Sequence, residues 1–434
     1  MPVALDPDTG VDVATDAVAR ALKAGADAAG VQHGYSELFE VNFDTNDVTL
    51  VRSTVGDTLA ITVYDDTRQG STKLTGRAHD AVDRAVAQAV EAARAGEPDP
   101  ANVLPDAQVE PGVSDGDQEP DRDAMVDTVL RHIAWTKENH PLLRSDSSVY
   151  LFQSTWVSYA NSHGRTQHAR RGRYVTSAMV TGKDDTRATS FNYVGHIDTA
   201  PIDDLFALPS IQRLIDSTLA SFDAKAIPST FVGDVIFTPE ALGTIVETVG
   251  GALGGVALMR KATPYIDKLG ASIAASGFTL AHRPTALAGA APFDSHGFVN
   301  RELPVITDGV LENFLIDWYF SNKLGMTMTT GCTDYVVAPG DTPLDEIIAR
   351  TERGILLGRY SGGQPNQNLD FSGVAKNSFY VENGKVTHPI SETMIAGNFV
   401  SVLESITAIS QESINFGDAS YPWVATTGVT VSTK

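Results

Sequence analysis

The chain has 434 residues and carries 54 acidic against 32 basic side chains, a net charge of −22. That length exceeds one ordinary domain and suggests two, and that charge opposes binding to nucleic acid or to an anionic lipid surface. The single cysteine, Cys332, excludes an internal disulfide and a Cys-pair zinc knuckle.

No basic segment followed by an apolar one opens the chain, so no signal peptide is expected. Residues 11–29 space Val13, Ala17, Val18, Ala21, Leu22 and Ala28 at helical intervals, with Gly25 interrupting the stripe. The period then changes. Phe39, Val41 and Phe43 alternate, as do Leu59, Ile61 and Val63, which predicts strands with one buried face; residues 65–70 read as the loop after the second. Helical spacing returns over 77–95. Residues 96–123 are rich in proline and hold nine acids against one arginine, so an exposed, mobile connector is expected there. A helix is predicted over 122–139, a β region over 147–191 with a turn at Asn161-Ser162-His163-Gly164, and a helix over 202–223.

The character shifts near Ile227-Pro228, which divides the chain into domains at 1–227 and 228–434. The second half opens with a strand at 231–237 and a helix over 239–259. That last stretch, the most apolar long run from 235, is broken by Pro239, Glu240 and Glu247 and is too interrupted to cross a membrane. Two Asx-Gly pairs, Asp308-Gly309 and Asn383-Gly384, sit between apolar runs and predict tight hairpins. One further helix is expected over 343–354. Strand runs with separate helices indicate an α+β fold: an N-terminal mixed domain, then a mostly antiparallel β domain with a packed helix.

The catalytic motifs of common hydrolases and nucleotide enzymes are missing. His163 and His168 have no glutamate between them, so they form no helical zinc-hydrolase pair, and neither a phosphate-binding G-x-x-x-x-G-K-[ST] loop nor a G-x-S-x-G elbow occurs. Gly243, Gly250, Gly251, Gly254 and Gly255 form no dinucleotide fingerprint; glycines on a helix fit close approach of a neighbour better. One cationic cluster stands out against the acidic background: His163, Arg165, His168, Arg170, Arg171 and Arg173. It reads either as the wet face of a strand pair or as a dock for a carboxylate or acidic partner. Asp294 lies two residues before His296; on a strand the two would share a face and the carboxylate could orient the imidazole, although a surface turn is the plainer reading. Cys332 has no histidine near it in sequence, and a small buried thiol is its plainer reading.

The second half resembles the TldD/PmbA family, whose members have been labelled modulators of DNA gyrase. The resemblance rests on Lys268-Leu269-Gly270, Phe293-Asp294-Ser295-His296-Gly297, Leu303 through Leu311, Leu315-Ile316-Asp317, Asn322-Lys323-Leu324-Gly325, Phe371 through Ala375, Phe379 through Lys385, and Pro389 through Asn398. It implies a cytoplasmic peptidase system of two related subunits that trims unfolded or modified peptides. One subunit type carries HExxxH and binds zinc through its histidines and a distant cysteine. The other lacks the motif.

Aligned from Lys268, the metal helix of the first type falls on 246–251. Glu247 keeps the glutamate, Val246 and Gly251 stand at the histidine positions, and Phe416 stands at the cysteine. None of the three replacements offers a lone pair to a metal, and a catalytic zinc needs three protein ligands. The resemblance therefore implies a TldE/PmbA-like subunit with no metal or cofactor of its own. Its partners would be a TldD-like HExxxH subunit that holds the zinc and a peptide substrate, with Arg165, Arg170, Arg171 and Arg173 as binding residues. Two alternatives stay open: a stand-alone homodimeric peptide-binding scaffold, or an enzyme of the same fold with repurposed chemistry at Glu247, Asp294, His296 or Cys332.

Overall fold

The computed structural model describes residues 7–433. Helix α1 (Pro7–Lys23) ends earlier than its apolar spacing suggests, because Gly25 takes φ +95° and turns the chain. Strand β1 (Ala28–Asp44) follows and forms a long hairpin with β2 (Asp47–Asp65), with Thr45 and Asn46 at positive φ in the turn. A second two-residue turn, Asp66-Thr67, leads into β3 (Arg68–Thr75), as the 65–70 loop predicts. Then come α2 (His79–Ala95), β4 (Val113–Asp115), α3 (Arg122–Asn139), β5 (Leu143–Ser145), β6 (Ser148–Asn161), β7 (Thr166–Gly182) and β8 (Asn192–Asp198). The path through this sheet is β3-β2-β1-β6-β7-β4, with β5 and β8 also paired to β7.

Alternation of side chains gives the sheet two distinct faces. Val31, Leu59, Ile61, Val63 and Ala160 bury against α1 and α2. Val41, Phe43, Phe152 and Tyr174 bury against Met125, Val129 and Ile133 of α3. The opposite face carries Gln32, Tyr159 and Arg171, and it meets the C-terminal half rather than a helix.

The expected mobile connector is an ordered strap. Its acidic, proline-rich composition predicts solvation, yet Ala101 and Leu104 are buried and β4 pairs in parallel with β7. Three of its nine acids are paired with cations elsewhere in the chain, Asp115 with Arg171 and Arg173, Asp99 with Lys323, and Glu110 with Arg301, while the other six stay exposed, as the composition predicts.

Residues 202–223 hold helix α4 only from Pro209 to Ala220, between short 3-10 turns. The second sheet begins with β9 (Phe231–Phe237). The helix expected over 239–259 is two: α5 (Pro239–Ala252), capped by Thr238, and α6 (Gly255–Met259), with Gly254 extended between them. A Cβ on Gly255 would collide with the Phe320 ring, which explains a glycine where the second helix starts.

The remaining elements are β10 (Leu280–His282), β11 (Leu303–Thr307), β12 (Val310–Leu311), α7 (Trp318–Leu324), β13 (Tyr335–Val337), α8 (Leu344–Arg350), β14 (Arg353–Leu357), β15 (Arg359–Gly362), β16 (Asp370–Lys376), β17 (Phe379–Glu382), β18 (Lys385–Pro389), β19 (Thr393–Asn398), α9 (Phe399–Glu404), β20 (Ile406–Asn415) and β21 (Ser420–Thr433). Both Asx-Gly hairpins form as predicted, with positive φ at Asp308, Gly309, Asn383 and Gly384. The helix expected over 343–354 stops at Arg350, because Arg353 already enters β14. Strand β21 pairs with β9, β13, β19 and β20, and α5 packs on it. The architecture is α+β, as expected. One apolar core, from Val235 and Ile245 to Trp423, continues into Leu143, Val180 and Leu214 of the N-terminal half.

Candidate functional site

Four groups of side chains singled out by sequence now have positions. The first lies on α5. Val246 is buried in the main core, while Gly251 faces open space with nothing near the site of a Cβ. Glu247 reaches solvent on one side. Burial and the nearby Asp418 push its carboxyl upward, and Tyr335 and Tyr421 lie within electrostatic reach of it. Phe416 is buried in the same core as Val246; its N–H donates to Ala419 O and its carbonyl accepts from Ile197 N at 2.8 Å. The helix glycines act as the packing reading expects at Gly250, where a Cβ would strike the Tyr335 ring, and at Gly243, where it would meet Tyr421 Cε2 at 3.2 Å.

The second group is the arginine cluster, which is not a wet face. Arg165, Arg170 and Arg173 are at most 8 % exposed. Alternation along β7 sends Arg171 and Arg173 to the face that meets the C-terminal half and Arg170 to the other. Arg173 Nη2 donates to Asp115 Oδ2 at 2.8 Å and Arg171 Nε to Asp115 Oδ1 at 3.1 Å; both side chains also donate to Ala288 O. Arg165 donates to Gln108 Oε1, Asp106 O and Gly297 O and lies 4.2 Å over the Phe298 ring. Arg170 donates on that other face to Gly116 O and Asp117 O. The ladder thus pins both the strap and the 288–298 segment to β7. Burying four cations is tolerable because each meets acceptors fixed by the backbone.

The third group is Asp294, His296 and Cys332. The Asp-x-His stretch is a turn, not a strand, with Asp294 buried, Ser295 exposed and His296 half-buried. Asp294 Oδ1 accepts from His296 N at 2.9 Å and from Phe298 N at 3.0 Å, so it shapes the backbone rather than gripping the imidazole. Its Oδ2 is buried without a partner, and Gly331 leaves room for it. Burial pushes the Asp294 carboxyl up and the His296 imidazole down, which keeps the imidazole neutral near pH 7. The Cys332 thiol is driven up to about 12 by burial and by Asp294 and Asp334. A thiol so protonated is a poor nucleophile. The side chain of Glu247 makes no hydrogen bond to Asp294, His296 or Cys332 among the described residues; Asp334 and Tyr335 lie between them electrostatically.

The fourth feature is a pair of clefts between the halves, which no local pattern foretold. A groove of about 580 Å³ runs between β8 and the 284–292 loop, with Asp115, Arg171, His196, Asn300 and Asn415 on its walls. A cavity of about 380 Å³ lies beyond the other end of the arginine ladder, beside Tyr159 and His296. Asp334 sits near the groove, where Asn300 Nδ2 donates to its Oδ2 and burial pushes its carboxyl up.

Residues 230–433 match the family model described as the PmbA/TldA metallopeptidase C-terminal domain. Residues 230–433 belong to the PmbA/TldD family. The chain is 26% identical over 416 residues to a Haemophilus influenzae protein named as a metalloprotease PmbA homolog, covering 91% of this chain and 90% of that one. Its fold matches the crystal structure of TldE from Thermococcus kodakarensis with a TM-score of 0.83 at 20% identity, over 97% of this chain and 100% of that one. A Bacteroides thetaiotaomicron protein described as a candidate modulator of DNA gyrase matches with a TM-score of 0.84 at 23% identity, over 98% of each chain.

The residues at the aligned ligand positions do not fit a zinc ion. Val246 presents hydrocarbon inside the core, Gly251 presents no side chain, and Phe416 presents a ring. No group of three or more histidine, cysteine, aspartate or glutamate side chains is arranged to hold a metal among the described residues. None of the helices among those residues is long and apolar enough to cross a membrane.

Proposed function

We propose that this chain is a TldE/PmbA-type subunit without a metal of its own, working in the cytoplasm beside a TldD-like subunit that carries HExxxH and zinc. The carrying observation is the donor set on α5 and at Phe416, where the three aligned side chains offer a metal nothing. The reading is supported by the PmbA relative, which aligns along nine-tenths of this chain. Its role would be to complete the chamber and shape the path of an unfolded or modified peptide. The groove between β8 and the 284–292 loop suits an extended segment, which gains main-chain hydrogen bonds at exposed backbone. Arg171 lines that groove, already paired with Asp115, and is the member of the arginine ladder best placed to contact a peptide.

The test is co-expression with an HExxxH homologue from the same source. The two chains are expected to co-elute, peptidase activity is expected to need both, and zinc is expected to follow the partner. Separate elution with activity independent of this chain would overturn the proposal. Glu247→Gln in this chain is expected to leave the activity of the pair within about twofold, because no metal-bound water is there for it to deprotonate. A loss of orders of magnitude would favour repurposed chemistry.

A further inference from the structure

The face of the first sheet opposite α1 and α2 is covered at one end by a lid of mixed origin instead of a helix. Its floor is contiguous in register: Gln32 lies directly across from Tyr159 and from Ala60, and Gly30 across from Thr62. The strap residues 101–104 form one wall, and the Ser295-His296 turn with Trp318 and Tyr319 of α7 forms the other. The space, a half-open cleft, is about 380 Å³, room for a bicyclic ring and within the ordinary range of small-ligand sites.

Three observations fix what could occupy it. First, no aspartate, glutamate, lysine or arginine lines the space, in a chain where 20% of residues are charged. The nearby charges are already paired outside it: Asp99 with Lys323 and Tyr319, Arg165 with Gln108 and backbone carbonyls. A charged ligand would lose its hydration and find no counterion. Second, Tyr159 lines the cavity, is 2% exposed, and has a buried hydroxyl without a hydrogen-bond partner. The neighbouring Asn161 can only donate to the hydroxyl oxygen, because its carbonyl already accepts from His163 N and Arg165 N, so the hydroxyl hydrogen is left without an acceptor. Such an orphaned donor calls for an acceptor. Third, Trp318 Nε1 donates to Val103 O at 2.7 Å and the Tyr319 hydroxyl to Asp99 at 2.8 Å, so their heads are engaged and what they offer the cavity is ring surface.

We propose that this cavity binds an uncharged aromatic or heteroaromatic ring, stacked on the α7 aromatics, with its polar edge on the Tyr159 hydroxyl and the Gln32 amide. Gly30 makes the space possible, since a Cβ there would stand 3.0 Å from Tyr159 Oη and 3.4 Å from Leu104 Cδ2. The site lies at the opposite end of the arginine ladder from the groove, and the proposal does not depend on the peptidase-subunit reading.

The ring has two possible sources, a free small molecule or the side chain of a peptide, and the test separates them. The full-length chain is titrated by ligand-detected NMR with p-cresol and indole, with their capped counterparts N-acetyl-tyrosinamide and N-acetyl-tryptophanamide, and with benzoate and benzylamine. The neutral rings are expected to bind, and the charged ones at least about tenfold more weakly. Binding of the capped amides as tight as that of the free rings assigns the site to a peptide side chain; binding of the free rings alone assigns it to a small molecule. Tyr159→Phe should weaken binding about tenfold, the worth of one buried hydrogen bond. Gly30→Val should abolish it by filling the space, and Gln32→Leu gives a second reading if that variant melts early. The proposal is overturned if no neutral ring binds at about 5 mM or tighter, a generous limit for a fragment of this size. It is equally overturned if charged rings bind as well as neutral ones, or if Tyr159→Phe and Gln32→Leu change nothing.

Discussion

Replacing Asp115 by alanine tests whether the arginine ladder holds the strap. The Asp115 carboxylate accepts from Arg171 Nε at 3.1 Å and from Arg173 Nη2 at 2.8 Å. The two arginine side chains are 16% and 10% exposed, the aspartate 40%. Removing one partner of a fully enclosed ion pair costs about 3–5 kcal/mol, while an exposed pair is worth about 0–1 kcal/mol. Asp115 stands between these limits, and both guanidiniums keep carbonyl acceptors, Ala288 O for each and Gly172 O for Arg173. The expected loss is therefore about 2 kcal/mol, and it should fall on local opening of the strap, because β4 is three residues long and pairs with β7 alone. At tenfold per 1.4 kcal/mol, the open population rises about 30-fold. Limited proteolysis, run where reclosing outpaces cleavage, reads that population directly. Cleavage within 96–121 should accelerate about 30-fold while the rest of the chain keeps its wild-type rate, with Asp115→Asn in between because its carbonyl still accepts. Unchanged cleavage in the strap would refute the argument, and so would an equal acceleration at every site.

Three further outcomes follow from the geometry. Gly250→Ala drives a Cβ into the Tyr335 ring, which is buried and cannot swing away, and should destabilise the fold by about 2 kcal/mol; its neighbour Gly251→Ala meets open space and should stabilise α5 by about 0.5 kcal/mol, and denaturant melts showing the same sign for both would contradict the packing described. Cys332, with a thiol pushed up to about 12, should react with a disulfide reagent at pH 8 orders of magnitude more slowly in the folded chain than in denaturant; stoichiometric labelling of native protein within minutes would show the thiol to be exposed and ionised. Asp99 is held down to about 2 by Lys323 and by the Ala101 N–H. Because its folded value lies below the unfolded one near 3.9, its contribution is complete above about pH 4 and lost as pH falls through about 2. Hydrogen exchange over 99–104 should therefore quicken across that window, and Asp99→Asn should remove this part of the pH dependence.

Local signals read well wherever a local cause sets the structure. Asp308-Gly309 and Asn383-Gly384 form their turns because only a few residue types accept two successive positive φ angles. The β alternation at 39–43 and 59–63 identified the right face of β1 and β2. The strap is ordered where a mobile connector is expected because three of its acids, Asp99, Glu110 and Asp115, look free until Lys323, Arg301, Arg171 and Arg173 are brought alongside; its other acids stay exposed, as the composition predicts. Nothing in 96–123 encodes Arg173 or Lys323. The same reasoning covers the Asp294 turn: the spacing of Asp294 and His296 is compatible with strand or turn, and the choice is made by backbone N–H groups that need an acceptor at that bend. The cavity beside Tyr159 was invisible, since it is assembled from β1, β2, β6, the strap and α7.

The arginine ladder and the missing metal donors have a common physical logic. A zinc site holds separate segments of a chain together through its ligands. This chain lacks those ligands, and the segments that a metal would join are held by other means: Phe416 is buried beside α5 in the apolar core, and its carbonyl accepts from Ile197 of β8. The loop next to it is tied to β7 through Ala288 and two arginines. Apolar burial costs no ion desolvation, and the guanidiniums meet acceptors that are already ordered. The framework around the aligned metal positions can therefore stay rigid without an ion. The proposed loss of metal chemistry at α5 is therefore compatible with the fold, and the clefts on either side of the ladder are the features the proposal leaves for recognition.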